Sequence, residues 1–284
     1  MTHIAHLLAE GRTYSFELFP PKTEEGRLHL ARTLVELQPL GPSFVSVTYR
    51  GGPSSRRPTH DLVAGIRETT TLEPMAHLTC VGHTRLELAD ILVRLRQAGI
   101  DNLMALGGDP PPPGAPAGEL AHALELVELA RAVGGFSIGV AAHPSVHPRS
   151  ASREADRYHL AAKLSLADFA ITQSVFAVEE YLALVDELGA LGVDRPVLPG
   201  IMPLTSLSSI DRQRELGAVV PPKVEARLRA AGGEAEVRSV GIDLATELCQ
   251  ALLDAGAPGL HFITLNRSSA TREIYANLGM KVGS

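Results

Sequence analysis

The 284-residue sequence predicts an α/β fold, a single (β/α)8 TIM barrel over 1–284 with one or two extra helices before its last strand. Three observations predict it. Short apolar runs rich in β-branched and aromatic residues alternate with longer amphipathic stretches, which argues for parallel strand pairing. The runs number eight and start roughly thirty residues apart, the length of one strand–helix unit. Polar side chains recur at the same end of nearly every run, and a parallel barrel carries its functional groups at the C-terminal strand ends.

In order, the predicted strands are 14–19 (YSFELF), 43–49 (SFVSVTY), 75–80 (MAHLTC), 102–107 (NLMALG), 136–142 (FSIGVAA), 169–175 (FAITQSV), 197–202 (VLPGIM) and 259–265 (GLHFITL). Between the third and fourth, the stretch 84–98 sets Leu86, Leu88, Ile91, Leu92 and Leu95 near one helical face. Thr84 reads as its N-cap and Gly99 as its stop. Helical patterns recur over 119–133, 178–190 and 236–255, the last ending before Gly256. The long interval before the final strand holds the extra helices, around 208–231. The Pro/Gly-rich segment 110–118 is short enough to be a βα loop and not a linker between domains.

Composition excludes several function classes. Hydrophobic residues make up 45% and charged residues 20%, ordinary for a globular chain that can bury a core without staples. The formal net charge is -6, with no block of Lys or Arg, so nucleic acid is not an expected partner. Aromatics are only 4% and Trp is absent, which argues against base stacking. No apolar run is long enough for a membrane span, and the N-terminus lacks a signal-peptide pattern. Cys80 and Cys249 form no ligand pattern, so a reducing cytoplasm is the expected compartment. The histidines show neither HxH nor HExxH spacing, and no metal is expected. GxGxxG, P-loop and GxSxG motifs are absent.

The strand ends supply the candidate site. They carry Glu17 before Phe19-Pro20-Pro21-Lys22, then Thr48 and Tyr49, His77 and Thr79, Gly107-Gly108-Asp109, His143 and His147, Thr172 and Gln173, and finally Thr264, Asn266 and Arg267. Taken singly, Glu17 reads equally well as a paired structural carboxylate, His77 as a core histidine and Gly107-Gly108 as a tight turn. Taken together, they describe a pocket with a general acid (Glu17), a charge stabiliser (Asp109) and an amide for recognition (Gln173).

The motifs Ser15-Phe16-Glu17-Leu18-Phe19-Pro20-Pro21-Lys22, Phe44-Val45-Ser46-Val47-Thr48-Tyr49 and Ala76-His77-Leu78-Thr79-Cys80 resemble those of methylenetetrahydrofolate reductases. Ala170-Ile171-Thr172-Gln173, Pro199-Gly200-Ile201-Met202-Pro203 and His261-Phe262-Ile263-Thr264-Leu265-Asn266-Arg267 continue the match in order. The resemblance runs from about residue 13 to 280 and is to the short bacterial form. It implies a (β/α)8 barrel that reduces 5,10-methylenetetrahydrofolate to 5-methyltetrahydrofolate, using NADH or NADPH as hydride donor and FAD as relay. It implies Glu17 as the acid that opens the folate's five-membered ring, a role needing a raised pKa. Asp109 would stabilise positive charge on the pterin, Gln173 would hydrogen-bond the pterin or nicotinamide, and Arg267 would meet the folate's glutamate tail. Thr48, Tyr49, His77, Gly108, Asp109, His143 and His147 would line the flavin. Asp156, His159 and Lys163 would hold its ribose and diphosphate. The partners implied are a reduced folate, a nicotinamide nucleotide and further copies of the chain in a homo-oligomer.

Departures from the family pattern cluster around the flavin. Gly107 stands where most members have Arg, Ala161 and Ala162 precede Lys163 where basic residues are common, His143 replaces a frequent Tyr, and Arg50 a frequent Gly. The loop 110–118 is shorter than in many relatives, and Ile263 and Leu207 stand where Tyr and Phe are common near the folate. Fewer cations weaken a diphosphate site. Direct hydride transfer without flavin therefore stays open as the alternative, as do a folate- or flavin-binding barrel of another reaction class and a barrel that binds without turnover.

Overall fold

The structure, a computed structural model, describes residues 2–49, 53–111 and 113–280. Eight parallel strands close into a barrel in chain order. They are β1 (Thr13–Leu18), β2 (Phe44–Val47), β3 (Pro74–Thr79), β4 (Asn102–Leu106), β5 (Ser137–Ala142), β6 (Phe169–Ser174), β7 (Val197–Ile201) and β8 (Gly259–Ile263). Each falls inside its predicted run or starts one residue early. Closure is visible at Ser15, which is in register with Phe44 on β2 and with His261 on β8.

Around the strands lie α1 (Ile4–Glu10), α2 (Glu24–Leu37), α3 (Pro53–Thr69), α4 (Arg85–Gln97), α5 (Ala123–Val133), α6 (Arg153–Leu164), α7 (Val178–Ala190), α8 (Leu207–Glu215), α9 (Pro222–Arg229), α10 (Glu234–Asp254) and α11 (Ser269–Asn277). Thr84 caps α4 as expected, its hydroxyl accepting from Glu87 N while the Glu87 carboxylate accepts from Thr84 N. Leu86 corrects the predicted face of that helix: it is 79% exposed, while Leu88, Leu92 and Leu95 are buried. Two residues advance a helix by about 200°, which turns Leu86 away from Leu88. The start of α5 is also later than the pattern suggests. The Glu125 carboxylate accepts from the backbone N–H groups of Ala121 and His122 and holds the chain there as a loop up to Ala123.

Outward strand residues such as Phe16, Val45, Leu78, Leu103 and Val140 pack against the helices in the main core. Inward residues split by height. Near the N-terminal end, Phe44, Met75, Met104, Phe169 and Leu198 fill the interior. Helix α1 plugs this end with Ile4 and Leu8, and its first N–H groups are taken up by Asn102 Oδ1 (2.8 Å) and Ser137 Oγ (3.0 Å). Alternation along the strands then brings Glu17, Thr48, His77, Thr79 and Gln173 inward at the opposite end. Helices α8 to α10 build a satellite core on Phe176 and Leu204, which follow β6 and β7. No helix of the described residues is long and apolar enough to cross a membrane.

Candidate active site

Glu17 lies on β1 in register with Ser46 and Ile263. Its side chain is 24% exposed and faces two imidazoles: His77 Nε2 at 3.9 Å and His261 Nε2 at 3.8 Å from one carboxylate oxygen. His261 is itself held from below. Its Nδ1 pairs with Ser15 Oγ at 2.7 Å, its Nε2 lies 3.4 Å from Ser46 Oγ, and its ring stacks on Phe44. Burial pushes the Glu17 carboxyl up, but the His261 imidazole, and the charge that His77 and His261 carry when protonated, bring it below the usual carboxylate range. The raised pKa expected for an acid is thus not what these neighbours give Glu17. Burial pushes His77 down to about 4, so it is neutral at pH 7.

Beside Glu17, the end of β3 presents two buried polar atoms, His77 Nε2 and Thr79 Oγ1, that have no hydrogen-bond partner among the described residues. Buried polar atoms are rarely left this way unless something else completes them. Gly108 follows β4 with φ +87° and presses close to both Thr79 and Val81; a Cβ there would come within 2.8 Å of Val81 Cγ1. The backbone at the cofactor position therefore requires glycine.

The end of β5 and helix α6 add the cationic part. Lys163 reaches inward to donate to Ala141 O at 2.9 Å, and burial lowers it to about 8. His143 and His147 meet edge to face, 4.5 Å between ring centres. Burial first, then its neighbours' charge, lowers His143 to about 4. Asp156 accepts from Ser150 Oγ (3.1 Å) and from buried Arg157 (2.6 Å), which also ties down the loop carbonyls of His143, Pro144 and Ser145.

The remaining candidates stand further out. A bulge between β6 and β7, where Thr172 Oγ1 accepts from Gly200 N at 2.9 Å, leaves Gln173 exposed on a strand that is otherwise buried. Asp109 and Arg267 are exposed at the mouth. Arg267 lines a cleft of about 710 Å³ with Lys22, Arg32 and Phe19, and none of these three cations has an ion-pair partner among the described residues. Thr48 is half-buried, and its carbonyl accepts from Thr59. Tyr49 turns away from Glu17, its hydroxyl 2.6 Å from His83 Nε2, and with His77 it borders a cavity of about 620 Å³ between α3 and α4. His159 is exposed on α6, with no hydrogen bond among the described residues, and is not brought to the cluster. Arg50 lies outside the described residues. No cluster of three His, Cys, Asp or Glu side chains among those residues could hold a metal ion. Sequence reasoning missed His261, Ser15 and Arg149. Strand parity was the available signal for the first two, since both alternate inward with Glu17.

Residues 3–279 match the family described as Methylenetetrahydrofolate reductase. The chain belongs to that family. A 5,10-methylenetetrahydrofolate reductase of Salmonella typhimurium strain LT2 is 38% identical over 272 residues, covering 95% of this chain and 91% of that one. A probable methylenetetrahydrofolate reductase (NADH) of Oryza sativa subsp. japonica is 34% identical over 296 residues, covering 98% of this chain but 50% of that one. The same barrel recurs, at 14% identity and TM-score 0.69, in a Clostridium thermocellum protein whose structure is described as binding two copies of 5-methyl-5,6,7,8-tetrahydrofolic acid; the match covers 97% of this chain and 98% of that one. For a methylenetetrahydrofolate reductase the donor set fits a flavin dinucleotide. Thr79, whose Oγ1 has no partner among the described residues, packs against the glycine cradle at Gly108, and the Lys163 ammonium donates only to Ala141 O among those residues.

Proposed function

We propose that this chain reduces 5,10-methylenetetrahydrofolate to 5-methyltetrahydrofolate with hydride from NADH or NADPH, by way of FAD. The observation that carries the reading is Glu17, a half-buried carboxyl in the polar end of the barrel interior, facing His77 and His261, in a chain of this family. Glu17 gives its proton to a ring nitrogen of the folate as the carbon–nitrogen bond of the five-membered ring breaks. The methylene carbon is left as an iminium, and addition of hydride makes the methyl group. One proton and one hydride are consumed for each nicotinamide oxidised.

The other residues bind and orient. Asp109, at the mouth, offsets positive charge that develops on the pterin. Gln173 offers an amide to the pterin or nicotinamide edge. Arg267, with Lys22 and Arg32 in the same cleft, suits the carboxylates of a glutamate tail. Thr48, His77, Gly108, His143 and His147 would border the flavin, with Asp156 and Lys163 towards its ribose and diphosphate; Tyr49 and His159, which point elsewhere, take no part in this reading. Bound FAD would supply a ring that takes hydride from nicotinamide and passes it to folate. A ligand bound over Glu17 would cover the part of its carboxyl that is now exposed, and that desolvation would raise it toward the range an acid needs.

The visible absorption spectrum of the purified protein, before and after NADH, tests the reading. A flavin band that bleaches on addition is expected. No band, together with NADH-dependent folate reduction in flavin-free buffer, would replace the relay with direct hydride transfer.

A further inference from the structure

By the resemblance, position 107 would carry an arginine beside the flavin; here it is Gly107, yet the space beside it is not empty. A Cβ built on Gly107 would have the Arg149 guanidinium 4.0 Å away, with Ala123 N at 3.9 Å. Arg149 arrives from the loop between β5 and α6. Its Nη2 donates to Gly108 O at 3.1 Å, which fastens the guanidinium to the glycine turn. Its own backbone N–H donates to His147 Nδ1 at 3.0 Å, so that neutral His147 carries its proton on Nε2. Among the described residues, only one of the five guanidinium N–H groups is engaged and Arg149 has no ion-pair partner.

The charge around this turn is otherwise thin. His143 and His147 are both held toward the neutral form by burial. Asp109 and Asp156 are the nearby acids, and Asp156 is already bound to Arg157 and Ser150. Among the described residues around the turn, half-buried Lys163 and exposed Arg149 are the cations left to meet an anion. A diphosphate laid along the turn needs a charged donor there to offset its desolvation.

We propose that Arg149 is the cofactor-diphosphate cation of this chain, supplied from the β5 loop in place of the arginine missing at position 107. The two positions are then a coupled pair, because an arginine at 107 would point its charge into space that Arg149 holds. The inference rests on the flavin reading above.

The test is titration of the flavin-stripped full chain with FAD and, separately, with riboflavin, which has no diphosphate, followed by quenching of flavin fluorescence. Arg149→Ala should weaken FAD binding roughly 10- to 100-fold, the scale of a lost charge-assisted hydrogen bond, and leave riboflavin affinity unchanged. Adding Gly107→Arg to Arg149→Ala should restore most of the FAD affinity. Position 107 is free of positive φ and open enough to take the side chain. FAD affinity within about twofold of wild type in Arg149→Ala would overturn the proposal, as would an equal loss for riboflavin. Wild type that binds neither ligand would overturn the flavin reading itself and the proposal with it, and the wild-type titration tells that failure from the other two.

Discussion

Glu17 shares the barrel interior with His77 and His261, and these neighbours set its acidity before any substrate arrives. His261 is a positioning residue: it reaches the chemistry only through Glu17, with Ser15 and Ser46 holding its ring. His261→Ala removes an influence that lowers Glu17, so the carboxyl rises and the limb of the pH–rate profile that reports it moves to higher pH. An unmoved limb would show that His261 does not act on Glu17. The same change takes the imidazole from the buried Ser46 hydroxyl and leaves Ser15 Oγ only its 3.5 Å bond to Leu260 O, which should cost about 1–3 kcal/mol in urea unfolding. That Glu17 sits at the polar end of its strand was legible in the sequence, because a carboxylate inside an apolar strand is rare without a role. Its pKa direction was not. It depends on His261, far away in sequence and brought adjacent by barrel closure. Arg149 was hidden for a similar reason, since only the fold lays the β5 loop over Gly107.

At the scale of elements, strand periodicity located all eight strands, and each polar terminus follows from alternation inside a closed sheet. Helices α1 and α11 were not legible. They have 7 and 9 residues, and neither has a side-chain cap to mark its start. Helix α10 shows a contact that sequence alone misjudges. By intrinsic propensity, Gly241→Ala in mid-helix would stabilise by up to about 1 kcal/mol. Here the added Cβ would run into the Leu204 carbonyl, and Leu204 anchors the satellite core of α8 to α10. Steric overlap outweighs propensity, and a net loss of about 1–3 kcal/mol is expected by urea denaturation. A variant as stable as wild type would mean that α10 does not press on the β7 loop.

For the whole molecule, the polar mouth has a consequence for acid stability. His77 and His143 are each lowered from 6.5 to about 4 in the folded chain. Between these values the unfolded chain binds more protons, so stability rises with pH across the window and is lost as pH falls from 6.5 toward 4. Glu17, lowered as well, adds loss of the same sign once acid reaches the ordinary carboxylate range. Urea unfolding at several pH values should show a slope approaching two protons through the imidazole window, and His143→Asn should remove about half of it. A flat profile would mean that the imidazoles are solvated and the mouth is open. Barrel and mouth together follow one division of labour, with an apolar lower interior sealed by α1 and a polar upper interior left for ligands.

The most direct measurement is anaerobic, NADH-dependent formation of 5-methyltetrahydrofolate from 5,10-methylenetetrahydrofolate, compared between wild type and Glu17→Gln at matched folate saturation. Wild type should turn over, while Glu17→Gln should bind folate with near-native affinity and lose on the order of 10²–10⁴-fold in kcat. Undiminished turnover in Glu17→Gln, or none in wild type, would contradict the proposed reaction at this site.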